Sequence, residues 1–114
     1  MTERGKPYYA HQLLSQTVDF LAVGPGDVRS RLLGAYAIFH PLNTKHFPDH
    51  LKPDFEWVEA QLTKHPARLS FDGTVTRGSV EVSLMRMKNS TGAKIASVLL
   101  RLHYAIEACI REDG

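Results

Sequence analysis

The last third of the chain carries a long apolar period. Val80, Leu84, Met87, Thr91, Ile95, Val98, Leu102 and Ile106 recur at the three- and four-residue steps of one helical face. This pattern predicts one helix from Ser79 to Arg111, with Ser79 as its N-cap. Val80, Val82 and Leu84 also alternate as a strand would, but the longer match favours the helix. Gly92 lies inside it and costs about 1 kcal/mol relative to alanine, so a kink or break is expected at Asn89 to Gly92.

This helix is apolar on more than one side. Ile95, Leu99, Leu102 and Ile106 form one face, and Leu100 and Tyr104 lie nearly opposite. Only Lys94, Ser97 and Arg101 make a narrow polar stripe. A helix of this kind needs cover on both sides. Either it is central in its own bundle, or a second chain supplies one cover, most simply as a two-fold dimer. Lys88 would face the Ile95 side of a continuous helix, where an unpaired charge is costly. A break near Asn89, snorkelling to the surface or a carboxylate partner would each relieve it.

Three shorter helices are expected upstream. The first spans Tyr8 to Val23, with Ala10, Leu13, Leu14, Thr17, Phe20 and Leu21 on one face and Gly24-Pro25-Gly26 as its stop. The second spans Val28 to His40, capped by Asp27 and stopped by Pro41. The short link between them predicts an antiparallel hairpin or a sharp corner. The third spans Pro53 to Lys64, with a preceding turn at Pro48 to Leu51. Trp57 points away from its Phe55 stripe and needs a second contact surface or partial exposure. Between Ala67 and Gly78, a small hairpin competes with a loop that packs Phe71 and Val75 onto the bundle, and the loop is the preferred reading. The expected fold is therefore all-α: a small four-helix arrangement with a long central C-terminal helix and a candidate β-hairpin near 68–82. The expected organisation is a single helical domain over 1–114, with residues 1–6 as a loose tail.

Composition narrows function more than it names one. The 114 residues are 43% apolar and 23% charged, which suits an ordinary globular domain and argues against general disorder. One cysteine, Cys109, leaves no internal disulfide and fits a reducing, cytoplasmic setting. Neither a secretory signal nor a membrane-spanning run is read from the sequence. The net charge of +2 is a weak basic signature.

No catalytic constellation stands out. Cys109 reads as a packed small hydrophobe, and no nucleophile is paired with His11, His65 or His103. His103 reads as a partly buried helix residue with a satisfied ring. His46 and His50 are four apart, with Asp49 beside them and His40 upstream, which is the raw material of a metal site. Pro48 interrupts any helix through both, so no metal site is expected there, and neither a stoichiometric transition metal nor a cofactor is expected anywhere in the chain. The favoured reading is a non-enzymatic interaction or regulatory subunit that binds itself or a larger protein. Trp57, Leu100, Tyr104, Lys94 and Arg101 would form the interface. Its size and character suit an accessory component of a bacterial multi-gene system, for instance in phage defence. The alternatives are a nucleic-acid binder using Arg77, Arg86, Lys88, Lys94 and Arg101, and a small His-rich metal protein or enzyme.

Overall fold

The computed structural model describes residues 5–113. They form α1 (Gly5–Val23), α2 (Val28–Phe39), α3 (Lys52–Leu62), β1 (Arg68–Leu69), β2 (Val75–Arg77), α4 (Ser79–Arg86) and α5 (Asn89–Asp113), with short 3₁₀ turns at Thr44–His46 and Asp49–Leu51. The all-α architecture follows the apolar periods, and α5 packs against α1, α2 and α3. Gly5 and Lys6, expected in a loose tail, belong to the first turn of α1; residues 1–4 of that expectation lie outside the described residues.

Local chemistry sets the helix ends. Asp27 caps α2 as its position predicts: its Oδ1 accepts the Ser30 amide at 3.0 Å. That bond and the Arg29 guanidinium hold its carboxyl below the ordinary range. Asn43 caps the first 3₁₀ turn, where its Oδ1 accepts the Lys45 amide and its own amide donates to His46 Nδ1 at 3.1 Å. Pro53 sits in the first turn of α3, where its missing donor costs nothing.

The predicted single helix from Ser79 to Arg111 is two helices. Met87 takes an extended backbone and ends α4, and α5 begins at Asn89. In a continuous helix the Met87 carbonyl would accept a bond from the next turn. Here it accepts from Arg29 Nη1 at 3.1 Å, a contact from the start of α2. The break leaves Lys88 exposed in the link, which removes the conflict of a buried charge. α5 runs unbroken through Gly92. This residue is buried, and a Cβ there would stand 3.0 Å from Val28 Cγ1, so the glycine lets α2 approach the helix closely. Ser79 is not the N-cap of α4; Gly78 holds that position, and Ser79 Oγ donates to the His65 carbonyl. Ser83 Oγ accepts the His65 amide at 2.9 Å, so two serines fasten the turn after α3 to α4.

Between α3 and α4 the chain forms the hairpin rather than the loop. β1 and β2 pair antiparallel, Leu69 opposite Val75, around a turn in which Gly73 has φ +86°. Asp72 Oδ1 accepts from the Thr74 amide and from Ser70 Oγ, and these bonds pull its carboxyl from 3.8 down to about 2. The hairpin stands off the bundle: Phe71 is fully exposed (108%) and Val75 is exposed, so the expected packing of both onto the core does not occur.

The core lies between the inner faces of α1, α2, α3 and α5. Leu14, Leu32, Phe39, Phe55, Leu62, Ile95, Leu99, Leu102 and Ile106 are fully buried. Phe47, from the link before α3, stacks on Phe55 with ring centroids 4.6 Å apart. Thr17, buried among them, donates Oγ1 to the Leu13 carbonyl and so leaves no unpaired polar atom.

Candidate functional site

α3 and α5 border a shallow groove of about 470 Å³. Asp54 and Trp57 come from α3, and Ala93, Lys94, Ser97, Val98 and Arg101 from α5. Three of the five interface residues expected from sequence, Trp57, Lys94 and Arg101, therefore share one groove. The helical period explains this: Asp54 and Trp57 are one turn apart on α3, and Lys94, Ser97 and Arg101 climb one side of α5. Arg101 Nη2 lies 3.7 Å from Asp54 Oδ2 across the groove, and Trp57 is 37% exposed along its wall.

Leu100 and Tyr104 lie outside this groove, on the adjoining outward surface of α5, 38% and 61% exposed. Ala93, Ser97 and Ala108 are exposed as well. At 100° per residue these five fall within one narrow stripe. The outward side of α5 is thus a seam of small and apolar residues bordered by Lys94 and Arg101.

The five basic residues of the nucleic-acid alternative do not gather on one surface. Lys94 and Arg101 line the α3–α5 groove. Arg86 and Lys88 line a different groove of about 320 Å³ with Lys64, His65 and Ser83. Arg77 Nη1 is held 2.7 Å from Glu81 Oε1.

The His40–His50 region gives no metal centre among the described residues, because no three of His40, His46, Asp49 and His50 converge. His46 spends Nδ1 on the Asn43 amide and packs its ring against Tyr9. Asp49 is paired with Lys52 at 2.8 Å, and His40 packs near Tyr36.

A different cluster forms where α1 meets α5. His11, His103 and Glu107 each offer a donor atom within 4.8 Å of the others, all three half-buried. The His103 ring is not satisfied as expected: its Nδ1 is buried without a hydrogen-bond partner. Sequence reasoning missed the cluster. Its one local signal was His103 and Glu107 one helical turn apart, and His11 joins them only through the packing of α1 on α5.

No helix is long and apolar enough to cross a membrane among the described residues. No family model, no curated protein and no solved structure matches this chain.

Proposed function

We propose that this protein is a non-enzymatic helical interaction subunit that pairs with a second copy of itself through the outward seam of α5. One observation carries the reading. The exposed stripe Ala93, Ser97, Leu100, Tyr104 and Ala108 is nearly symmetric about the midpoint between Leu100 and Arg101. If two copies of α5 run antiparallel about a two-fold axis at that midpoint, Ala93 meets Ala108, Ser97 meets Tyr104, and the Leu100 side chains meet at the axis. Large Tyr104 thus faces small Ser97, and alanines face each other at the two ends of about 22 Å of helix. Tyr104 of each copy would enter the groove beside Ser97, close to Trp57 of the other.

Charge is the main objection to such a pair, since both Arg101 side chains come near the axis. Asp54 lies 3.7 Å from each Arg101 within its own chain and offsets that repulsion. A specific interface buries about 800 Å² per partner, more than one helical seam supplies. Trp57 is placed to contribute the remainder and to act as an aromatic anchor.

The test is sedimentation at tens of micromolar, with circular dichroism as the check on folding. Wild type is expected to sediment as a dimer, and Leu100→Glu combined with Tyr104→Glu as a folded monomer. A monomeric wild type, or a double variant that remains dimeric, removes the proposed interface.

A further inference from the structure

We propose that His11, His103 and Glu107 form a binding site for one divalent transition-metal ion of the zinc type, joining α1 to α5. The inference is independent of the pairing of chains through α5. His103 and Glu107 are one turn apart on α5, and His11 reaches them from the half-buried side of α1. Both imidazoles bring Nε2 close to the same carboxylate oxygen. Glu107 Oε2 lies 3.4 Å from His103 Nε2 and 3.6 Å from His11 Nε2. The two rings stack at 5.2 Å between centroids, tilted by only 20°, so a ring must turn to bring both Nε2 lone pairs onto one ion, and the His103 ring has no Nδ1 bond to oppose that turn.

These spacings discriminate between two kinds of contact. A nitrogen-to-oxygen hydrogen bond closes to about 2.7–3.2 Å, and both distances exceed it. An ion bound tetrahedrally at about 2.0–2.2 Å holds neighbouring ligand atoms about 3.3–3.6 Å apart. Glu107 Oε2 therefore stands from each imidazole at the separation of neighbouring ligands around an ion, and all three donor atoms lie within 4.8 Å of one another. Two imidazoles and one carboxylate suit zinc and its late first-row neighbours, whereas calcium and magnesium prefer oxygen ligands throughout.

The surroundings fix the carboxylate but only half support the histidines. Arg111 Nη2, one turn further along α5, donates to Glu107 Oε1. That bond orients the carboxylate and leaves Oε2 towards the histidines, as hydrogen bonds to ligating carboxylates do in metal sites. The guanidinium also places a positive charge near the ion, which weakens binding. His103 is nearly enclosed, with 13% of its side chain exposed, yet its Nδ1 has no acceptor to fix the ring. Loss of such a partner typically lowers metal affinity by about 10–100-fold. The expected affinity is therefore micromolar rather than nanomolar.

Binding should also stabilise the fold, because the ion ties two helices that separate on unfolding. At a hundredfold excess over Kd the mass-action effect corresponds to a rise in Tm of about 10 °C for a chain of this size.

The experiment uses the full chain without a histidine tag, stripped with chelator and titrated with zinc by calorimetry. One zinc per chain with a micromolar Kd is expected, together with the rise in Tm. Cobalt in its place should show the visible absorption of a tetrahedral centre. His11→Gln and Glu107→Gln, both at half-buried positions, should remain folded by circular dichroism and bind zinc at least tenfold more weakly. His46→Gln should bind as wild type does. Wild type that binds no more tightly than about 100 µM overturns the proposal. So does binding that survives both ligand substitutions or is lost in His46→Gln. Should either ligand variant fail to fold, cobalt absorption and stoichiometry on wild type decide: absent tetrahedral absorption, the site is refuted.

Discussion

Leu99 and Leu100 are neighbours on α5 with opposite surroundings. Leu99 is fully buried with Ile95, Leu102 and Ile106 against α1, α2 and α3, while Leu100 shares the outward surface with Tyr104. Both faces are apolar, so hydrophobicity does not decide which one the chain covers. Geometry does. A helix is wrapped only on the side from which its neighbours approach, and α1, α2 and α3 leave the opposite side bare. The lesson is that an apolar residue reports a demand for cover, and only the count and direction of neighbouring elements show whether the same chain meets it.

The sharpest test applies one substitution to both faces. Leu102→Ala removes a side chain with no exposed surface and leaves a cavity among packed neighbours, which destabilises by about 2–5 kcal/mol. Leu100→Ala, two residues away, removes a side chain already in contact with water and should change the stability of the isolated chain by less than about 1 kcal/mol. Urea unfolding at low protein concentration, where any dimer is dissociated, measures both. Equal losses at the two positions would dissolve the distinction between the faces.

The inward face can be probed from the other direction, by adding volume. Gly92 is buried against α2, and a Cβ there would meet Val28 Cγ1 at 3.0 Å and Arg29 Cγ at 3.6 Å. Two effects oppose each other in Gly92→Ala. Helix propensity favours alanine by about 1 kcal/mol, while overpacking a close contact costs about 1–3 kcal/mol. Arg29 is tied to Asp27 and to the Met87 carbonyl, so α2 is held on both sides and cannot yield easily. The expected outcome is a net loss of ~1 kcal/mol in thermal or urea unfolding. A gain of similar size would mean that the inward cover is loose, and the contrast with the outward face would blur.

What the sequence made legible, and what it did not, divides along the same line. The apolar periods located the helices, and Asp27 announced the start of α2, because both depend on residues within a few positions of one another. The break before Asn89 was signalled by Gly92 and by the awkward charge of Lys88, but its place at Met87 was not, because the period from Val80 to Ile106 runs straight across it. The bond that diverts the Met87 carbonyl comes from Arg29, far away in sequence. The five residues expected at an interface could be grouped from sequence only in part, for a similar reason. Helical phase put Leu100 and Tyr104 on one face, but the groove that joins Trp57 to Lys94 and Arg101 exists only once α3 lies beside α5. The metal-type cluster was the least legible of all. His46 and His50, close in sequence, do not converge on a common centre with His40 or Asp49, while His11 meets His103 and Glu107 across the fold.

The hairpin should give the smallest effect, and it extends the comparison to a third region. Phe71 is as apolar as any core residue, but it stands wholly in solvent at the tip of β1–β2, with no helix within reach to cover it. Phe71→Ser should therefore change global stability by less than about 0.5 kcal/mol. The turn itself is held by polar bonds: Asp72 accepts from Ser70 and Thr74, and its carboxyl sits at about 2 instead of 3.8. A depressed carboxyl pKa stabilises the folded turn above the ordinary value, and that stabilisation is lost as pH falls towards about 2. NMR titration of the Asp72 side chain should give a midpoint near 2 in wild type and move towards 3.8 in Ser70→Ala, which removes the largest of its stabilising bonds. The helical signals should stay unchanged between these variants at neutral pH, because the hairpin does not share the core. If Phe71→Ser lowers the unfolding midpoint of the whole chain as a core truncation does, then Phe71 is covered in solution. The hairpin would then have to fold back over the bundle, with Phe71 inside.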